Sequence, residues 1–223
     1  MSNLFAPWTL RELTLRNRVI LSPMCQYSAD QGVAQPWHLV HLGARAMGGA
    51  GLVLAEATAV EPEGRISPQD LGLWNEEQVE ALRPITAFIK SQGSVPGIQL
   101  AHAGRKAGTT APWHGSTPLP IGGGGWRVVG PSAVPFAPGY QTPHALSHLD
   151  LQKLVERFVY AAEASLRAGF EVVELHAAHG YLLHQFLSPL SNLRSDAFGG
   201  SLAGRMRFPL QIVEAVSYTH LTL

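Results

Sequence analysis

Two imidazoles and a phenol stand within six residues in His176-Ala-Ala-His179-Gly-Tyr181, directly after the mostly apolar run 170–175. Imidazole nitrogens can hold an anionic oxygen and a phenol can hand over a proton, so the three together can polarise and protonate one small substrate. Three further clusters share the same kind of position, the end of a buried strand. They are Pro23-Met24-Cys25-Gln26-Tyr27, Glu56-Ala57-Thr58, and Gln99 with His102. In parallel β/α barrels the chemistry sits at the carboxyl ends of the strands. Four clusters at four such ends therefore form a constellation rather than scattered polar residues.

Other readings of these residues stay open at this level. The His-x-x-His spacing of His176 and His179 also fits metal ligation in a barrel hydrolase or lyase, although a metal site needs a third or fourth ligand. The adjacent Tyr181 favours substrate binding. His38-Leu-Val-His41 has the same spacing but lies on an apolar-patterned helix, where the two imidazoles read as structural. Cys25 is the only cysteine and has no thiolate partner for a metal; a lone cysteine is more often buried than nucleophilic. The four glycines at 122–125 follow no strand, open no helix and lack a Lys-Ser/Thr ending, so they read as a flexible lid rather than a phosphate loop.

The elements that must position these groups follow an alternation of short apolar strands and helices, the pattern of a parallel sheet with helical crossovers. Strands are expected at 19–23, 51–60, 95–101 and 171–176, and helices at 37–47, 75–92, 149–168 and 202–216. Residues 8–15 suit a small hairpin across the base of a barrel. The segment 105–146, rich in Gly and Pro, is a long excursion of the kind that often serves as a lid. The count gives four strand–helix units, whereas a complete (β/α)8 barrel needs about 250 residues.

Composition bounds the partners. The 223 residues are 46% hydrophobic and 14% charged, with 16 basic and 16 acidic side chains. Zero net charge gives no electrostatic case for nucleic acid or an acidic membrane surface. No apolar run approaches the roughly 18 residues a membrane span needs. A single cysteine and no signal-peptide layout at the start make a cytoplasmic protein the expectation.

The residues just quoted resemble the old yellow enzyme family, in its bacterial branch with a cysteine beside the flavin. Leu4-Phe5, Leu10, Leu13, Asn17-Arg18 and Pro23–Tyr27 resemble the family's opening. Gln99-Leu-Ala-His102-Ala-Gly104-Arg105-Lys106 and the block from His176 to Gly200 continue the likeness, which covers residues 4–216. The resemblance implies a TIM (β/α)8 barrel of which this chain holds the N-terminal half, binding FMN and drawing reducing equivalents from NADPH. It implies hydride delivery to activated alkenes, small α,β-unsaturated carbonyl or nitro compounds. On that likeness His176 and His179 bind the substrate oxygen, Tyr181 donates the proton, and Tyr27 adds a second phenol. Cys25 tunes the flavin, and Pro23, Met24, Ala57 and Gln99 hold its ring edge. A homo-oligomer is expected of the full-length form. The family continues through four more strands after residue 216, so residues 217–223 are expected to be a non-native tail. A chain ending at strand four would then be marginal, prone to associate and weak in FMN binding, or an inactive remnant.

Overall fold

The computed structural model describes residues 3–220. It opens with a hairpin of β1 (Trp8–Leu10) and β2 (Leu13–Leu15), paired antiparallel. The main sheet follows: β3 (Ile20–Leu21), β4 (Leu52–Ala59), β5 (Val95–Ala101) and, later in the chain, β8 (Val172–Leu175). These four strands are all parallel and lie in the order β3-β4-β5-β8. Two short strands, β6 (Val129–Gly130) and β7 (His144–Ala145), pair with each other inside the long excursion.

The crossovers are α1 (Pro36–Met47), α2 (Glu76–Ser91) and α3 (His148–Arg167), with α4 (Leu182–Leu187) and α5 (Leu202–His220) after β8. Their starts are written in local chemistry. Asn75 Oδ1 accepts the Gln78 N–H and Gln78 Oε1 accepts the Asn75 N–H, a reciprocal cap that satisfies two otherwise orphaned donors. Ser147 and Asp150 do the same for α3.

Each strand splits its side chains between two faces. Val53, Ala55, Ile98 and Leu100 join the large core with Leu82, Ile89, Phe158 and Ile212 from the helices. On the opposite face Leu52 and Leu54 pack with Val95, Val172 and the hairpin's Leu13 and Leu15. The hairpin therefore closes one end of that face, and the polar strand ends lie at the other.

Several expectations shift. The strand over 19–23 contracts to two residues, because β3 pairs only with β4 and Pro23 has no N–H to extend a ladder. Strand 171–176 contracts to β8, although Glu171 and His176 still donate to the Pro96 and Leu100 carbonyls. The excursion 105–146 is not a loose loop: β6, β7 and two short 3-10 turns organise it. Helix α5 runs through residues 217–220, beyond the boundary drawn at 216; the rest of the expected tail, residues 221–223, lies outside the described residues. No helix among the described residues is long and apolar enough to cross a membrane.

Candidate active site

Cross-strand register assembles the site's floor. Ala57 pairs with Gln99 and Gln99 with Glu174, so these three share one layer of the open face; Ala59 and Ala101 pair in the next layer. Gln99 Nε2 donates to Glu174 Oε1, which fixes the amide and leaves its oxygen free to accept. Ala57, Ala59, Ala101, Ala103, Gly64 and Ile66 wall a small cavity of about 10 Å³ that Asp70 and Tyr181 also line.

His176 follows β8 and is 7% exposed. Its Nδ1 accepts the Ala178 N–H at 3.3 Å, which leaves Nε2 to carry the proton. The next turns bring its neighbours back onto it. His179 (φ 55°) and Gly180 (φ 74°) are both left-handed, a conformation that costs a non-glycine residue roughly 1 kcal/mol or more. The reversal sets the His179 and Tyr181 rings edge-on to His176, with centroids 5.1 and 5.0 Å away.

Gln185 on α4 holds this turn. Its Nε2 donates to the Gly180 and Ala103 carbonyls and its Oε1 accepts the Arg105 N–H. A Cβ on Gly104 would stand 2.4 Å from that Oε1, and φ is 60° there, so only glycine suits the position. Lys106 reaches over the turn, donating from Nζ to the His179 carbonyl at 3.0 Å and lying 4.9 Å from the Tyr181 ring centroid.

The segment after β3 forms the opposite wall. It is positioned by a bulge in β4, where the register shifts between Ala55 and Ala57 and leaves Glu56 as the extra residue. Glu56 is 3% exposed, and its Oε2 accepts the Gln26 N–H at 2.8 Å. Its Oε1 lies 3.2 Å from His38 Nε2. That contact is close but poorly aligned for a hydrogen bond, since Nε2 has no partner of good geometry; the short distance makes it an electrostatic contact. His38 Nδ1 accepts the Gln35 N–H, so the proton faces Glu56. Tyr27, left-handed at φ 49°, meets the exposed Trp113 of the excursion edge-on at 5.5 Å.

Electrostatics hold the site neutral. Burial, with help from His179, Lys106 and His184, lowers the His176 pKa to about 4. Burial also raises both phenols, Tyr27 and Tyr181, above their ordinary range, with neighbouring Cys25 and Asp70 adding to it. The Cys25 thiol is pushed up to about 12 by burial, Asp70 and Glu56, so it is held as a thiol rather than an attacking thiolate.

The structure thus gathers His176, His179 and Tyr181 in ring contact, and lays Ala57 beside Gln99. Cys25, Tyr27 and Tyr181 are close enough to influence one another's titration. His102 turns elsewhere: its ring accepts the Gly104 N–H and faces Glu61 at 3.0 Å, tying the end of β5 to the loop after β4. No group of three His, Cys, Asp or Glu side chains among the described residues could hold a metal ion. Lys106, Glu56, Asp70 and Gln185 were given no role by sequence reasoning. Lys106, Glu56 and Gln185 sat inside the quoted motifs; nothing in the types around Asp70 marked it.

Comparison with known proteins decides the family. The model of the NADH:flavin oxidoreductase / NADH oxidase family matches residues 3–219. The chain belongs to that family. An NADH:flavin oxidoreductase of Gibberella zeae is 48% identical over 219 residues, covering 96% of this chain and 53% of that protein. The NADPH dehydrogenase of Bacillus subtilis is 44% identical over 215 residues, covering 96% of this chain and 59% of its own. Among solved structures, morphinone reductase superposes with a TM-score of 0.85 at 33% identity, covering 98% of this chain and 60% of that one. An old yellow enzyme homologue from Zymomonas mobilis gives 0.86 at 30%, covering 98% and 61%. The chain thus spans about 53–61% of the length of these relatives. The family does not favour the metal-dependent hydrolase or lyase reading.

Proposed function

We propose that this flavin oxidoreductase chain supplies the substrate-side half of a (β/α)8 barrel that binds FMN, accepts hydride from NAD(P)H and reduces the C=C bond of enones or nitroalkenes. One observation carries the reading: His176 and Tyr181, both held in neutral, proton-bearing forms, stand in ring contact at the end of β8. The chain's residues fit a flavin. The polar edges of the ring need partners, and the small side chain of Ala57 lies beside Gln99, which offers its free amide oxygen. The backbone of Pro23 and Met24 would hold the ring edge, and Cys25 stands by as an uncharged thiol. When bound, FMN would supply the electron chemistry.

The chain's own residues do the rest. His176 and His179 donate N–H groups to the substrate oxygen, and donors aimed at a developing oxyanion act more strongly on the transition state than on the ground state. Tyr27 can add a hydroxyl to the same oxygen. Tyr181 gives its proton to the α-carbon; the raised pKa of the phenol keeps that proton in place until the carbon is basic enough to take it.

The test is a titration of the 223-residue chain with FMN, followed by flavin fluorescence, then reduction of a simple cyclic enone with NADPH. Saturable quenching and NADPH-dependent loss of the enone support the proposal. Tight flavin binding with no reduction would reject the alkene assignment, and absence of binding would reject flavin retention by this half alone.

A further inference from the structure

Asp70 is 2% exposed, yet it lies outside every role assigned above. It sits on the segment after β4, which is stitched to that strand: Ala59 donates to the Leu71 carbonyl and Leu73 donates to Ala59. Asp70 Oδ2 accepts the Ile66 N–H at 2.7 Å and Oδ1 accepts the Ser67 hydroxyl at 2.8 Å. Each oxygen keeps a second acceptor site. Both residues at stake, Asp70 and Tyr181, line one small cavity of about 10 Å³, whose other walls are alanine, glycine and Ile66. That is room for about one water, and a buried water persists only where polar partners hold it. In this cavity the carboxyl and the phenol are the polar side chains.

We propose that a single water in this cavity links the Asp70 carboxyl to the Tyr181 hydroxyl, making Asp70 the group that restores the Tyr181 proton after each turnover. The inference rests on the role of Tyr181 in the proposed function. The proton count closes. Tyr181 O–H gives its proton to carbon, the tyrosinate takes one from the water, the water takes one from the Asp70 carboxylic acid, and solvent reprotonates the carboxylate. Burial, with Glu56 adding to it, raises the Asp70 pKa to about 7 against the bonds from Ser67 and Ile66, so the acid form is populated near neutrality. The other charged or titratable groups that feel it are Cys25 and Tyr27 after β3, Arg65 on its own segment and Tyr181 itself.

The experiment needs no flavin at its first step. In chain labelled with ¹³C at the aspartate carboxyls and tyrosine ring carbons, one buried carboxyl, missing in Asp70→Asn, is expected to titrate near neutrality. The Tyr181 ring signal should follow that midpoint in the wild type and lose it in Asp70→Asn. Ala59→Val fills the cavity while leaving both groups in place, and should also uncouple the two. In FMN-loaded enzyme, Asp70→Asn should slow alkene reduction about tenfold at pH 6, with the difference from wild type shrinking as pH rises past the Asp70 midpoint, while flavin reduction by NADPH is unchanged. A Tyr181 signal indifferent to the Asp70 titration would overturn the proposal, as would coupling that survives Ala59→Val, or an equal slowing of both half-reactions. If wild-type chain shows the coupling but reduces no alkene, the functional reading fails while the Asp70–Tyr181 link stands.

Discussion

Removing the Glu56 carboxyl should damage the wall formed by residues 23–27 more than its position on a bulge suggests. Glu56 faces two groups from different elements: its Oε2 accepts the Gln26 N–H at 2.8 Å, and its Oε1 stands 3.2 Å from the proton-bearing His38 Nε2 in an electrostatic contact. A hydrogen bond to a charged group contributes about 1.5–3 kcal/mol, and a buried donor left without a partner costs about 1–3 kcal/mol. Glu56→Gln keeps one acceptor oxygen but turns an NH₂ toward the other donor, so it is expected to cost about 1.5–3 kcal/mol. Glu56→Ala strands the Gln26 N–H, removes the electrostatic contact to His38 and leaves a void, and should cost about 3–5 kcal/mol. For a chain of this size each kcal/mol moves the melting midpoint by about 2–4 °C, so Glu56→Ala should melt about 6–20 °C lower, with Glu56→Gln between it and the wild type. The assay is a thermal melt followed by far-UV circular dichroism, with FMN titration of each variant below its melt. A double variant, His38→Leu with Glu56→Met, removes donor and acceptor together and should be milder than the two single losses summed, by about 1–3 kcal/mol. Additive losses, or a Glu56→Ala melt within about 2 °C of wild type, would refute the claim that this carboxyl anchors residues 23–27.

Two further outcomes concern His176. Its folded pKa of about 4 lies below the ordinary value of 6.5, so the unfolded chain binds more protons between the two; stability is full above pH 6.5 and is lost as pH falls toward 4. At pH 5 that amounts to about 2 kcal/mol, but Asp70, raised to about 7, gains stability over an overlapping fall in pH. The measurement is therefore the difference in urea stability between wild type and His176→Asn at pH 7.5 and 5: the wild type should lose about 2 kcal/mol more, and parallel losses would contradict it. Lys106 is among the groups that lower the His176 pKa, so Lys106→Met should raise it, read as a shifted imidazole resonance in a pH titration; an unmoved midpoint would show that Lys106 has no part in setting it.

The parts of the fold that the sequence disclosed are those governed by local pattern. The almost uninterrupted apolar run of β4, the Asn75 start of α2 and the glycines behind the helices each act within a few residues. What stayed hidden depends on distant partners. No residue type at 55–57 announces a bulge; it arises because β4 must pair with β5 while presenting Glu56 to His38 and Gln26. α4 is only six residues long, too short for periodicity to separate from a loop, yet it carries Gln185. Within the site, His176, His179 and Tyr181 were legible because they are adjacent in sequence. Asp70 was not, since its meaning comes from a cavity shared with a residue more than a hundred positions away.

One physical cause recurs at His176, Tyr27, Tyr181 and Cys25. Burial disfavours charge, so it lowers an imidazole and raises phenols, a thiol and a carboxyl alike. His176, Tyr27, Tyr181 and Cys25 all move toward their neutral forms, with burial as the first cause in each. The result is a pocket rich in N–H and O–H donors and poor in fixed charge, with Lys106 the cation at its edge. Such a pocket has little to offer an already anionic substrate in its ground state, and much to offer a neutral carbonyl or nitro group as negative charge builds on its oxygen. On the proposed reading, selectivity for activated alkenes follows from this neutrality.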